Sequence, residues 1–116
     1  MTNTLCDDVR AALDRAAEPG STEGIAEFFR KRHIYGEPGN CSWCIIACYL
    51  RAEVDGVGYV SVHPDGDDRD GGVVDIGIDA EDNQHVPLPR KLNEFTLNFD
   101  NLTYSDLVDD SYDGVT

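Results

Sequence analysis

The chain has little that would place it in a membrane or a secretory pathway. Among its 116 residues, no apolar run approaches the roughly 18 residues that a membrane-spanning helix needs. Asp7 and Asp8 stand where a secretory signal has its apolar core, so we expect no signal peptide. The sequence therefore predicts a cytoplasmic protein that does not bind membranes.

Positive charge is also scarce. Nine Lys and Arg face 23 Asp and Glu, which gives a formal net charge of −14 at pH 7. The imbalance is concentrated in residues 55–116, which hold fifteen acids against Arg69, Arg90 and Lys91. A field of this sign repels the phosphates of nucleic acids. We therefore expect no direct contact with nucleic acid and favour a partner protein with a basic surface.

Catalytic signatures are missing as well. The sequence has no Gly-x-Ser-x-Gly elbow, no phosphate-binding loop and no dinucleotide fingerprint. Its three histidines are scattered over different predicted elements. His63 and His85 could lie on neighbouring strands and face an aspartate, an arrangement that only coordinates can test. The sequence thus leans away from an enzyme and supplies no catalytic residue.

The first half of the chain is predicted to be helical. Apolar residues recur at the spacing of one helix face in residues 5–16, and the Pro-Gly pair at 19–20 ends this helix. Ser21 or Thr22 can cap a second helix. A third helix, residues 42–54, would begin at its capping serine and is apolar on every side along most of its length. This pattern is typical of a helix buried at the centre of a domain.

The second half is predicted to be mostly strands. Residues 59–63 and 74–78 alternate between apolar and polar side chains, a two-residue third strand follows, and apolar residues in 92–99 mark a final helix. This order describes an α+β domain with three N-terminal helices, a small antiparallel sheet of about three strands and a C-terminal helix. We assign residues 1–108 to this single domain and 109–116 to an acidic, flexible tail.

Residues 41–51 hold three of the four cysteines and the single tryptophan. Cys41, Cys44 and Cys48 stand at positions i, i+3 and i+7, so a helix would align them along one face. The spacing of the first two also matches a redox CxxC motif at a helix N-terminus. A thioredoxin-like site needs a preceding strand, however, and here a helix and a loop precede it.

Two interpretations of these cysteines remain open. With Cys6 or His33 as a fourth ligand, the three thiols would suffice for a zinc ion or an iron–sulfur cluster. Free cysteine is also among the most buried residue types and packs as a small hydrophobe. We favour thiols packed in the core, with no cofactor, and keep the metal site as the alternative.

A polar loop separates the first two predicted strands. Residues 65–72 resemble a calcium-binding loop at first sight, but Arg69 and Asp70 occupy the positions where an EF-hand needs an oxygen ligand and glycine. We interpret the segment as a solvated acidic loop. Its carboxylates are the candidate partner-binding residues, namely Asp65, Asp67, Asp68 and Asp70.

The basic residues 30–33 form a cluster inside an otherwise acidic chain. Cations near the end of a helix interact favourably with its dipole. We therefore expect these side chains to serve the helix end or to pair with the acidic half of the chain.

Residues 36–51, centred on 44–51, resemble a segment of small proteins from actinobacteria and their phages. Those proteins carry a Cys-Pro-x-Ala-x-Tyr-Leu stretch after a glycine-rich turn, then two strands and a Leu-Pro step into a helix ending near Phe-Asp. The corresponding segments here are 60–62, 74–78, 86–89 and 99–100. This chain departs from the pattern at Ile45, where the family has proline, and in the acidic loop. The resemblance implies a small soluble bacterial or phage protein, working in the host cytoplasm in the latter case, and implies no activity.

The sequence as a whole predicts a non-enzymatic protein-binding module that acts through its acidic half, for example by blocking a cationic site on a host protein. The alternative is a small zinc or iron–sulfur protein that uses the cysteine segment.

Overall fold

The chain forms a small antiparallel sheet with three helices before it and one after it in the sequence. The computed structural model describes residues 4–54, 56–65, 72–77, 83–101 and 103–108. Within these residues the helices are α1 (Thr4–Ala17), α2 (Thr22–Arg32), α3 (Ile45–Glu53) and α4 (Arg90–Asp100). The strands are β1 (Tyr59–His63), β2 (Val73–Gly77) and β3 (Asn83–Pro87), and a short 3-10 turn (Ser105–Leu107) follows α4. The predicted α+β class, with three helices before the sheet and one after it, is confirmed.

The ends of α2 show why the local sequence forms a helix there. Ser21 is the N-cap, and its side-chain oxygen accepts a hydrogen bond of 3.1 Å from the Gly24 N–H. His33 ends the helix in the left-handed conformation with φ 57°. Its N–H donates to the Arg30 carbonyl, which satisfies one of the orphan acceptors at the helix end.

The three strands form an antiparallel sheet in the order β1-β2-β3. The register places Ser61 opposite Asp75, and Asp75 opposite His85, so these three residues share one face. The other face carries the buried apolar residues, which are Val60, Val62, Val74, Ile76 and Val86. The apolar residues of the first two strands share the buried face as predicted, although Ser61 is buried as well and Ile78 lies outside the described residues. The second strand begins one residue earlier than predicted, and the third strand is longer than predicted.

Tyr49 of α3 lies at the centre of the core. Its ring makes edge contacts with Phe28 and Phe29 of α2, at centroid distances of 5.6 and 5.3 Å. Its hydroxyl donates a hydrogen bond of 2.7 Å to the Ala12 carbonyl of α1. The helix is therefore central, as its apolar composition predicted.

The predicted start of the third helix at Ser42 is wrong. The helix begins at Ile45 with Cys44 as its N-cap, because the preceding residues are held in turns. The Asn40 side chain accepts from the Ser42 N–H at 3.1 Å, and the Asn40 carbonyl accepts from the Trp43 N–H at 3.2 Å. These bonds satisfy the local donors outside a helix.

Trp43 is consequently not a core residue. Its side chain is 51% exposed, and the Arg51 guanidinium lies 4.2 Å from its ring centroid in a cation–π contact. The expectation that the apolar run is buried from its first residue is therefore wrong at this position. Residues 109–116, the predicted acidic tail, lie outside the described part of the chain. Within the described part, every helix is too short or too polar to span a membrane.

Candidate functional site

A cavity of about 240 Å³ lies where the loop before α3 meets the end of β1 and the last turns of α4. Two of the side chains at its mouth, Cys41 and His63, are exposed to solvent. The full lining consists of Gly39, Asn40, Cys41, Cys44, Val62, His63, Pro64, Thr96 and Asp100.

Two hydrogen bonds hold the walls of this cavity together. The Val62 N–H on the outer edge of β1 donates to the Cys41 carbonyl at 2.8 Å. The Gly39 N–H donates to the Asp100 carboxylate at 2.9 Å. Gly39 has φ 75°, a conformation that glycine adopts without strain. The loop is thereby fixed to the sheet on one side and to α4 on the other.

Asp100 is the acidic group of this cavity, and its surroundings oppose its charge. The residue is half-buried, and this desolvation raises the pKa of its carboxyl group, although the Gly39 N–H partly offsets the effect. Asp100 is also the last residue of α4, where the helix dipole disfavours a negative charge. Among the described residues, no Lys or Arg pairs with it. A cation entering the cavity would relieve this uncompensated charge.

The residues proposed as metal ligands are dispersed. Cys6 is buried on α1, and its thiol donates to the Gln84 amide oxygen on β3 at 2.7 Å. His33 is exposed at the end of α2. Neither residue lies in the segment 41–48 that holds the other three cysteines.

The three clustered cysteines do not share one helix face either. Cys41 is exposed and lies outside α3, because the turns around Asn40 delay the start of the helix. Cys44 is buried at the N-cap, and burial raises the pKa of its thiol to about 12. The Cys48 thiol donates to the Trp43 carbonyl at 3.4 Å. Within the described ranges no three His, Cys, Asp or Glu residues form a group that could hold a metal ion. Cys6 and Cys44 are buried, as expected of packed thiols, whereas Cys41 is exposed, contrary to that expectation. The choice between packed thiols and a metal site stays a prediction.

Of the four proposed partner-binding acids, only Asp65 is described; Asp67, Asp68 and Asp70 lie outside the described residues. The Asp65 backbone is held by the buried Asn93 side chain of α4. The Asp65 N–H donates to the Asn93 amide oxygen at 2.6 Å, and the Asp65 carbonyl accepts from the Asn93 amide nitrogen at 3.0 Å. The first end of the acidic loop is thus fixed through backbone atoms.

Gly72, at the second end of the acidic loop, lies close to the same Asn93 side chain. Gly72 packs so closely that an added Cβ would lie 2.9 Å from the Asn93 amide oxygen. The buried Asn93 amide therefore binds the first end of the acidic loop and lies close to its second end. Sequence reasoning missed Asn93, because a lone asparagine in a helix gives no signal of what it binds.

The face of the sheet opposite the apolar core residues carries a histidine pair around one carboxylate. Asp75 contacts His63 Nε2 at 3.3 Å and also His85 Nδ1. The expectation that both histidines face an aspartate is confirmed, although β2 separates their strands. The Ser61 hydroxyl lies 2.9 Å from the same His63 Nε2. A catalytic triad contacts the two ring nitrogens from opposite sides, so this geometry is not that of a triad.

The basic cluster at the end of α2 contacts residues of the same chain. Arg30 forms ion pairs with Asp106 at 2.6 Å and with Glu27 at 3.2 Å. The Arg32 guanidinium lies 3.7 Å from the Phe28 ring centroid. The expected pairing of this cluster with the acidic half is confirmed for Arg30.

No protein-family model, no curated protein and no solved structure matches this chain. The resemblance to actinobacterial and phage proteins therefore stays a prediction, and function has to be inferred from the residues themselves.

Proposed function

We propose that the chain is a non-enzymatic protein-binding module that docks its acidic half on a basic surface of another protein in the cytoplasm. The distribution of charge is the observation that supports this proposal. Residues 1–54 hold eight acids and six Lys or Arg, a net charge of −2. Residues 55–116 hold fifteen acids and three Lys or Arg, a net charge of −12.

Several of the described cations are already engaged within the chain. Arg15 pairs with Glu53 at 3.0 Å, Arg30 pairs with two acids, and Lys91 pairs with Glu94 at 3.2 Å. These pairs are exposed and contribute little stability. Within the acidic half they involve Glu94 and Asp106, so most of its acids do not take part in these pairs. The remaining negative field favours encounter with a cationic protein surface.

The anchoring of the acidic loop supports the same proposal. The Asn93 side chain binds the backbone N–H and the backbone carbonyl of Asp65. A loop fixed at its base loses less conformational entropy when it binds a partner.

The test compares two variants that lose the same amount of charge. One neutralises the loop as Asp65→Asn, Asp67→Asn, Asp68→Asn and Asp70→Asn. The control neutralises four exposed acids of the N-terminal half as Asp7→Asn, Asp8→Asn, Asp14→Asn and Glu18→Gln. A basic protein captured with the wild-type chain is purified, and its Kd for each variant is measured by titration calorimetry.

Recognition by the loop predicts that the loop variant binds about tenfold or more weakly, whereas the control stays within about threefold. Equal weakening by both variants would show that binding depends on the net charge of the chain and not on the position of the loop acids. Unchanged binding by the loop variant would contradict the proposal.

A further inference from the structure

We infer that the cavity beside Asp100 takes one arginine or lysine side chain of the basic partner, with the Asp100 carboxylate as its counter-charge. This inference rests on the proposed function and assigns the chemistry that the partner must present. The inference also names one specific contact, at Asp100, for a binding surface that the proposed function describes only by its negative charge.

The size of the cavity fits a single long side chain. Sites for drug-sized ligands occupy roughly 300–1,000 Å³, and this cavity is smaller, at about 240 Å³. Its mouth is open, since Gly39, Cys41 and His63 at its rim are exposed. A side chain projecting from another protein can therefore enter without rearrangement of the core.

The lining suits a cation carried on an aliphatic stem. The lining residues include the apolar Cys44, Val62 and Pro64 together with the acidic Asp100. Lysine and arginine bury their methylene groups against apolar surface while the charged end keeps a polar partner. An anionic or purely apolar ligand would leave the carboxylate uncompensated.

The hydrogen bond between Gly39 and Asp100 does not require a negative charge. The structural role of Asp100 is to accept the Gly39 N–H hydrogen bond, and a neutral asparagine would accept the same bond through its amide oxygen. Half-burial and the C-terminal end of α4 both disfavour the carboxylate. A charged group kept where a neutral one would be more stable is typical of a functional site.

Asp100 differs from the acids that form an ion pair with an arginine. Asp106 and Glu27 pair with Arg30, and Glu53 pairs with Arg15. Within the described part of the chain, Asp100 has the Gly39 N–H as its donor and no such cation. A cation that entered the cavity would lie beside this carboxylate.

The experiment is an NMR titration of the full, uniformly 15N-labelled chain with three blocked amino acids. The probes are the N-acetyl, N′-methylamide forms of arginine, lysine and norleucine; norleucine is similar in length to lysine and lacks its charge. The inference predicts saturable shifts of the Gly39, Cys41 and Thr96 amides with a cationic probe. A dissociation constant on the order of millimolar is expected for so small a ligand.

Two variants make the titration decisive. Asp100→Asn should abolish the shifts, while Asp14→Asn, which removes the same charge from an exposed position on α1, should leave them unchanged. The amide spectrum of each variant shows directly whether it is folded. Absence of saturable shifts, equal shifts with norleucine, or shifts that persist in Asp100→Asn would overturn the inference.

Failure of this inference can be distinguished from failure of the proposed function. If the captured partner binds Asp100→Asn as tightly as wild type while the neutralised loop weakens binding, the cavity is not the contact and the acidic loop still is. If the neutralised loop has no effect, the proposed function itself is contradicted, whatever the probes show.

Discussion

The Gly39 N–H donates a 2.9 Å hydrogen bond to the Asp100 carboxylate, and this bond joins the loop before α3 to the last turn of α4. The bond compensates the burial of Asp100 only in part, because burial still raises the pKa of the carboxyl group above its ordinary value. The folded state therefore holds the Asp100 proton more tightly than the unfolded state does. Ionisation of this group consequently opposes folding.

Asp100→Asn should raise the free energy of unfolding at pH 7. The substitution removes a charge that is unfavourable in the folded state and keeps an acceptor for the Gly39 N–H. Because the unfolded carboxyl ionises first, near pH 3.8, stability is lost as the pH rises from there through the raised pKa. The gain from the variant should therefore be present at pH 7 and shrink toward pH 4, as measured by urea unfolding.

Asp106→Asn is the matched comparison, and it should change the free energy of unfolding in the opposite direction. The Arg30 guanidinium beside Asp106 lowers the pKa of that carboxyl group, so its ionisation favours folding at neutral pH. This contribution is lost as the pH falls through the lowered pKa. The variant should be less stable than wild type at pH 7. A loss of stability in Asp100→Asn equal to that of Asp106→Asn would contradict the description of the Asp100 environment.

Thiol reactivity should single out Cys41. Its side chain is exposed, whereas Cys44 is buried with a pKa raised to about 12. Thiolate is the reactive form, so iodoacetamide at pH 8 should label Cys41 well before Cys44 in the native protein. Peptide mass spectrometry after timed quenching measures the order, and Cys41→Ser should remove the fastest phase. Equal labelling of Cys44 in folded protein would contradict its burial.

Asn93→Ala should loosen the base of the acidic loop. The variant loses two hydrogen bonds to the Asp65 backbone, each with a net contribution of about 0.5–1.5 kcal/mol. We expect a loss of about 1–3 kcal/mol in the free energy of unfolding and faster amide exchange at Asp65. Asn101→Ala, at an exposed position just after α4, is the control. A similar exchange rate in both variants would show that Asn93 does not hold the loop.

Cys44→Ser separates the two interpretations of the cysteine segment. If Cys44 is a packed thiol, the buried hydroxyl should lower stability by about 1–3 kcal/mol without changing the zinc or iron content of the purified protein. If Cys44 is a metal ligand, the variant should release metal and lose its fold. Elemental analysis of both proteins, purified without oxygen or chelator, measures the difference.

Much of the fold was predictable from local patterns. Ser21 caps α2 because its side chain reaches the Gly24 N–H three residues later, a signal written in the adjacent sequence. The strands around Val60 and Val74 followed from alternation alone. Such features depend on residues a few positions apart in the sequence, so the sequence alone predicts them.

The errors and omissions arise where distant residues meet. Trp43 was expected in the core from its apolar neighbours, yet the Asn40 turns place it before the helix. Asp100 and Gly39 are 61 residues apart, and no pattern announces that pairing. The sequence did hold one signal for Asp100. It is the last residue of a helix that has no basic residue in its last turn. The helix dipole disfavours a negative charge at that position, so another interaction of the carboxylate was to be expected.

The most direct test of an acidic binding face is the dependence of partner affinity on salt. The Kd of the captured basic protein should be measured between about 50 and 500 mM NaCl for the wild-type chain and for the chain with its loop acids neutralised. Binding through the loop predicts a steep loss of wild-type affinity with salt and a clearly shallower slope for the variant. Equal salt dependence of Kd for the two chains, or a wild-type Kd that does not change with salt, would contradict binding through the acidic loop.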